Sequence, residues 1–307
     1  MKFYIGVTDN DWFRFLAHYE PDEANFWRPS STMNFRAIRA GAPFLFKLKA
    51  PNNYIVGGGF FVKHLILPLS LAWDAFGIKN GAATYDRFRQ LIMNLRQQDG
   101  LNPSIGCTIL TEPFFFARED WIPVPSNWSK NIVQGKTYST EDVIGENLWN
   151  RVQERMDDKR QEGKEPELVY EDEVRYGKKY EIRSRIGQGA FRVLVTDAYQ
   201  RRCAVTGEKT LPVLEAAHIK PYAESGPNSI SNGLLLRSDM HILFDKGYMT
   251  LDNDLNVEIS RRIKEEYQNG REYYAYHGKR LSNIPPDLHE QPSSGFLEWH
   301  QHEVYKG

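Results

Sequence analysis

Leu214-Glu215-Ala216-Ala217-His218-Ile219-Lys220-Pro221, followed after a polar loop by Asn232-Gly233-Leu234-Leu235-Leu236-Arg237-Ser238-Asp239-Met240-His241-Ile242-Leu243-Phe244-Asp245, decides how the C-terminal part of this chain is read. The first run is a short apolar strand that ends in a histidine. Asn232 opens a second apolar strand, and the residues after it are predicted to form a helix with His241 and Asp245 one turn apart. The frame is H-x13-N-x8-H-x3-D.

Each of these positions suits a chemical task. A neutral histidine on a rigid strand can act as a general base. A histidine and a carboxylate at i and i+4 share one helix face, so both can reach a single ion. The Asn232 amide can donate and accept at once and can therefore fix the loop between the strands. Upstream, the segment 178–202 is basic, with Lys178, Lys179, Arg183, Arg185, Arg192, Arg201 and Arg202 against few acids. Within it, residues 187–199 are predicted to be a helix with Phe191, Leu194, Val195 and Ala198 inward.

Together with Arg202-Cys203-Ala204-Val205-Thr206-Gly207, these stretches resemble the HNH endonuclease family over residues 187–260. The resemblance implies a ββα-metal fold that hydrolyses DNA phosphodiester bonds. It implies His218 as general base, Asn232 as the structural middle residue and His241 as metal ligand, so that His218, Asn232 and His241 form the catalytic set. Asp245 is the expected second ligand. The expected cofactor is a divalent ion, Mg2+ first, with Mn2+ and Ni2+ as alternatives. Lys178, Lys179, Arg183, Arg185, Arg201 and Arg202 are the expected contacts to the DNA backbone.

Two positions depart from the family pattern. Many members carry a metal-binding Asp or His immediately before the base, where this chain has Ala217; Glu215, Asp239 or waters would have to complete the shell. Many also carry paired CxxC knuckles, whereas only Cys203 stands at such a position, so no structural zinc is expected.

The remaining composition sets bounds. At 307 residues the chain is long enough for two domains. Its two cysteines, Cys107 and Cys203, make no disulfide framework, which points to a reducing, cytoplasmic setting. No apolar run is long enough for a membrane span. A formal net charge of -1 leaves any nucleic-acid surface to local segregation of charge. The charge-dense segment 141–177 reads as a helical linker between an N-terminal domain, 1–140, and the nuclease domain, 178–307. The predicted class is α+β.

In the first domain, Met1 to Phe15 reads as a strand, and Phe44–Lys49 with Tyr54–Val62 reads as a hairpin whose Gly57-Gly58-Gly59 marks a bulge or a close backbone approach. Helices are predicted over 70–76 and 83–96, and further strands over 105–110 and 113–116. The hairpin is similar to the barrel strands of the PUA superfamily, whose EVE, YTH and SRA members read modified bases. That similarity implies a small β-barrel with flanking helices and a pocket that stacks a flipped base on aromatic rings. Trp27, Asn34, Phe35, Phe60 and Trp73 are the candidate pocket residues, with Trp12 and Phe61 also considered and Arg28, Arg36 and Arg39 available for phosphate. Trp27 leads because Asn25-Phe26-Trp27-Arg28-Pro29-Ser30-Ser31 reads as a polar loop.

The combined expectation is a modification-dependent restriction endonuclease acting on double-stranded DNA that carries modified bases, away from membranes. Double-strand cleavage from a single centre would need a homodimer or two sequential nicks. The competing expectations are a sequence-specific or nicking HNH enzyme with an ordinary DNA-binding module, and an HNH fold retained only for binding.

Overall fold

The computed structural model describes residues 1–32, 35–96, 100–162 and 186–307, with backbone alone for 158–162. The chain divides into two compact units, Met1–Arg185 and Ile186–Gly307.

The first unit begins with β1 (Lys2–Thr8) and α1 (Asn10–Tyr19), whose first turn is capped by Asp9 accepting from the Asp11 N–H. β2 (Glu23–Arg28), β3 (Pro43–Leu48) and the long β4 (Tyr54–Pro68) follow, then α2 (Leu69–Phe76) and α3 (Tyr85–Met93). β5 (Ser104–Phe115), β6 (Ile122–Pro123), β7 (Gly135–Ser139) and α4 (Val143–Glu162) complete it. The expected β3–β4 hairpin is present and antiparallel, with Phe44 opposite Gly59 and Phe46 opposite Gly57.

The glycine triplet does both things its sequence suggested. A Cβ on Gly58 would lie 2.8 Å from the Phe44 carbonyl and 2.7 Å from the Phe114 ring, and the register to β5 shifts between Gly58 and Phe60. The two strands expected over 105–110 and 113–116 run as one, β5, with Glu112 at φ 47° marking the irregularity.

The strand order is β2-β5-β4-β3-β1-β7, with β6 paired to β4, and among the described residues the sheet does not close. The expected PUA-like β-barrel is therefore corrected to an open mixed sheet. A barrel needs an unbroken ladder around its circumference. Here β1 is flanked on both sides, parallel by β3 and antiparallel by β7, which leaves β2 and β7 as edges without a ladder between them. A side chain spans that gap: the Arg28 guanidinium donates to Gln134 Oε1 at 3.0 Å and to the Tyr4 hydroxyl at 3.4 Å.

Aromatic packing fills the unit. Phe26, Phe44, Phe46 and Phe115 gather with Trp12 and Phe13 in one cluster, while Phe3, Ile5, Leu45 and Ile55 form another. α4 adds Leu148 and Val152 to the second cluster, so the first turns of the charge-dense segment pack on the core of this unit. Each such side chain removed from water contributes roughly 1.5–3 kcal/mol.

The second unit opens with α5 (Gln188–Ala198), in which Phe191, Leu194, Val195 and Ala198 are all buried as their spacing requires. β8 (Leu214–His218) and β9 (Gly233–Arg237) pair antiparallel, with Leu214 opposite Arg237 and His218 opposite Gly233. α6 (Ser238–Asp245) follows directly, then β10 (Met249–Leu251) paired with β11 (Val257–Ile259), and α7 (Arg262–Tyr267), α8 (Arg271–Tyr274) and α9 (Ser294–Glu303). Val195, Leu234, Leu235, Leu236, Met240 and Phe244 bind α5, β9 and α6 into one core. Among the described residues no helix is long and apolar enough to cross a membrane.

Candidate active site

His218 ends β8 half-buried, and two neighbours hold its ring. The Phe191 ring stacks on it from α5, with centroids 3.9 Å apart and planes 11° from parallel. Asn228, from the loop between the strands, places Oδ1 2.8 Å from His218 Nε2.

Asn232 is fully buried and holds that loop shut. Its Oδ1 accepts from the Lys220 N–H at 2.9 Å, while its Nδ2 donates to the carbonyls of Lys220 and Pro227, each at 2.9 Å. The amide thus satisfies three backbone groups that lack a ladder partner, and a side chain unable both to donate and to accept would leave some of them unpaired.

On α6, His241 lies between two carboxylates. Its Nδ1 is 2.5 Å from Glu215 Oε2 and its Nε2 is 3.3 Å from Asp245 Oδ2. The bond to His241 holds the Glu215 carboxyl below the usual glutamate range, assisted by the Ser238 hydroxyl, against partial burial. The Asp245 carboxyl is pushed up by loss of surrounding water; Glu215 reinforces the effect, whereas His241 and His218 oppose it. The charges of Glu215, His241 and His218 therefore all bear on the Asp245 carboxyl.

Asp239, weighed with Glu215 as a further ligand, is committed elsewhere: Arg237 grips it through Nε at 2.7 Å and Nη2 at 2.8 Å. That fork holds the Asp239 carboxyl below the ordinary range.

Residues 203–252 match the family model HNH_2, described as HNH endonuclease. The second unit carries an HNH endonuclease domain. No curated protein matches the chain. Among solved structures, it is similar to a point variant of ZmASCH from Zymomonas mobilis at 9% identity and TM-score 0.35, covering 49% of this chain and 98% of that one. It is also similar to the modification-dependent TagI restriction endonuclease at 13% identity and TM-score 0.27, covering 92% of this chain and 75% of that one. Both TM-scores fall below 0.5, so the fold rests on the strand order and register given above.

Within the HNH domain, the two departures from the family pattern have structural counterparts. Ala217 is fully buried in the core. Glu215, two residues earlier and so on the same strand face, is the carboxylate that reaches α6. The Cys203 thiol accepts from the Arg237 N–H at 3.3 Å and the Thr206 N–H at 3.4 Å, pinning a turn to β9. Among the described residues, no three His, Cys, Asp or Glu side chains already converge as a ligand shell.

The donor chemistry nevertheless fits a divalent ion. In the neutral ring, with the Nδ1 proton given to Glu215, the Nε2 lone pair of His241 lies beside the Asp245 oxygen. A metal-ligating histidine often gives its other ring proton to a carboxylate in this way. Two electron-rich atoms that face each other are stabilised by a cation. Arg201 and Arg202 follow the C-terminal end of α5, whereas His218 stacks on Phe191 near its start. Lys178, Lys179, Arg183 and Arg185 lie outside the described residues.

The candidate pocket residues of the first unit separate. A cavity of about 730 Å3 is lined by Trp12, Phe15, Phe26, Trp27, Arg28 and Lys49, among others, with residues from both sides of the β2–β7 gap. Trp27 belongs to β2 and not to a loop, because Phe26 and Trp27 pair with Thr108 and Cys107 of β5. Its indole N–H donates to the Asn80 carbonyl at 2.9 Å and its ring meets Phe88 edge-on, which fixes the ring's position. Phe35 and Phe60 are buried in the core, and Trp73 packs on Tyr85 and Phe88; none of the three lines the cavity. Asn34 lies outside the described residues.

Proposed function

We propose that this chain is a metal-dependent DNA endonuclease whose HNH domain hydrolyses phosphodiester bonds and whose first unit selects DNA by a modified base. The observation that carries the nuclease reading is the placement of His218, stacked and hydrogen-bonded at the end of β8, the strand whose Glu215 bonds to His241 of α6. His218 takes the proton from the attacking water. Asn232 keeps the loop that frames the base in place, and Glu215 orients His241. His241 and Asp245 would hold a divalent ion, Mg2+ first and Mn2+ or Ni2+ otherwise, which when bound stabilises charge on the phosphate and the leaving oxygen.

The base-reading half is supported by the first-unit cavity. Its volume lies within the roughly 300–1,000 Å3 of small-molecule sites, and it combines aromatic walls with Arg28 and Lys49. A flipped base would stack on Trp27, whose ring is already fixed, so little ordering cost remains at binding.

Comparing cleavage of methylated, hydroxymethylated and unmodified duplexes with Mg2+, Mn2+ or Ni2+ tests the whole proposal. Cutting confined to a modified duplex supports it. Equal cutting of all duplexes removes the reader and leaves the nuclease.

A further inference from the structure

We infer that Asn228 is a positioning residue that fixes the protonation of His218, holding the proton on Nε2 and leaving Nδ1 as the atom that takes the proton from water. The inference rests on the reading of His218 as general base. It follows from two hydrogen bonds at opposite ends of one amide.

Asn228 Nδ2 donates to the Ile186 carbonyl at 2.7 Å. A carbonyl can only accept, so the amino end of Asn228 must face Ile186. Turning the amide over would set two oxygens against each other at that distance. The carbonyl end, Oδ1, therefore faces His218 Nε2 at 2.8 Å, and it too can only accept. Nε2 must then carry the hydrogen. In the neutral ring the remaining lone pair sits on Nδ1.

Phe191 completes the restraint. Its stacked ring sets the plane of the imidazole, while Asn228 sets its rotation within that plane. Both restraints are tied to one short stretch of backbone: Ile186, which accepts from Asn228, lies two residues before α5, and the Phe191 N–H is bonded to the Gly187 carbonyl at 2.9 Å. When Nδ1 accepts the proton, Nε2 keeps its own, and Asn228 Oδ1 stabilises the imidazolium without itself changing protonation. Asn232, the asparagine of the family motif, spends its amide on backbone groups of Lys220 and Pro227.

The test uses the full chain and two variants. Asn228→Leu keeps the size and removes both bonds. Asn228→Asp keeps an acceptor for Nε2–H, loses the donor to Ile186 and sets a second oxygen near that carbonyl, so a melting curve accompanies it. The inference expects Asn228→Leu to lower kcat by at least about tenfold with KM for a duplex unchanged. It expects Asn228→Asp to restore most of that loss. It also expects the 15N spectrum of His218 in the neutral wild-type protein to show the proton on Nε2.

Wild-type kcat in Asn228→Leu overturns it, as does a spectrum with the proton on Nδ1. Equal damage in Asn228→Asp and Asn228→Leu also overturns it, because the bond to Ile186 would then be the one that matters. Normal cleavage by His218→Ala would instead refute the base reading, and the spectrum would still decide separately whether Asn228 fixes the ring.

Discussion

Glu215 and His241 meet at 2.5 Å across β8 and α6, carboxylate to Nδ1, on the side of the ring opposite Asp245. This pairing turns Glu215 towards His241 instead of filling the ligand place that Ala217 leaves open. On the proposed reading Glu215 orients His241, and His241 with Asp245 would hold the ion. His241→Ala and Asp245→Ala should each weaken Mn2+ binding severely, and Glu215→Gln should weaken it by about 10- to 100-fold. Titration calorimetry on the three variants checks this. Unchanged affinity in His241→Ala and Asp245→Ala would move the ion elsewhere.

Gly233 sits opposite His218 in the β8–β9 ladder, beneath α5. A Cβ there would lie 2.5 Å from Val195 Cγ2 and 3.1 Å from the Phe191 ring. Gly233→Ala should therefore cost about 1–3 kcal/mol of stability, and it should lower kcat by displacing the ring that stacks on His218. Urea melts and single-turnover cleavage measure the two effects. Unchanged kcat in a folded variant would show that the stack is dispensable.

His300 makes the stability of the second unit depend on pH. It is buried against Phe244, accepts from the Thr250 hydroxyl at Nδ1 (2.8 Å) and donates from Nε2 to the Phe244 carbonyl (3.1 Å). Burial lowers its pKa from 6.5 to about 4, against a small opposing pull from that carbonyl. Between those values the unfolded chain takes up a proton and the folded one does not. The His300 contribution is thus intact above pH 6.5 and is lost as pH falls towards 4, by a total of about 3 kcal/mol. Protection factors of α9 and β10 amides, which take out the pH dependence of intrinsic exchange, should fall over that window in the wild type and less so in His300→Gln. An equal fall in both would assign the loss to other groups.

Trp27 is anchored through Asn80 and Phe88, so its removal must be read against folding. In a His218→Ala background without added metal, to hold cleavage down, Trp27→Ala should reduce the preference for modified duplex by one to two powers of ten, from a stacking contribution of roughly 1–3 kcal/mol. Trp27→Phe should retain part of that preference. A melting curve accompanies each binding measurement. Retained preference in folded Trp27→Ala would take the ring out of the pocket.

Local patterns were legible in the sequence where neighbours along the chain decide the structure. The apolar runs before His218 and after Asn232 became β8 and β9, the one-turn spacing of His241 and Asp245 became α6, and Pro51-Asn52-Asn53 turned β3 into β4. Pairings between distant segments were not legible. The parallel β1–β3 ladder and the β2–β5 ladder depend on strands far apart in sequence, and they turned the expected barrel into an open sheet and drew Trp27 into a strand. Phe35 and Phe60 could not be told from pocket residues, because an aromatic side chain suits a core and a stacking wall equally. Asn228 and the Phe191 stack carried no signal, since each acts only once the loop 219–231 has folded back on α5.

The proposed role of His218 as general base of a metal-supported phosphodiester hydrolysis is measured by single-turnover cleavage of a duplex under saturating enzyme and Mg2+, wild type beside His218→Ala, with duplex affinity and melting temperature recorded on both. The variant should fold and bind DNA as the wild type does while its cleavage rate falls by about 100- to 10,000-fold. A folded His218→Ala protein that cuts at the wild-type rate would contradict it.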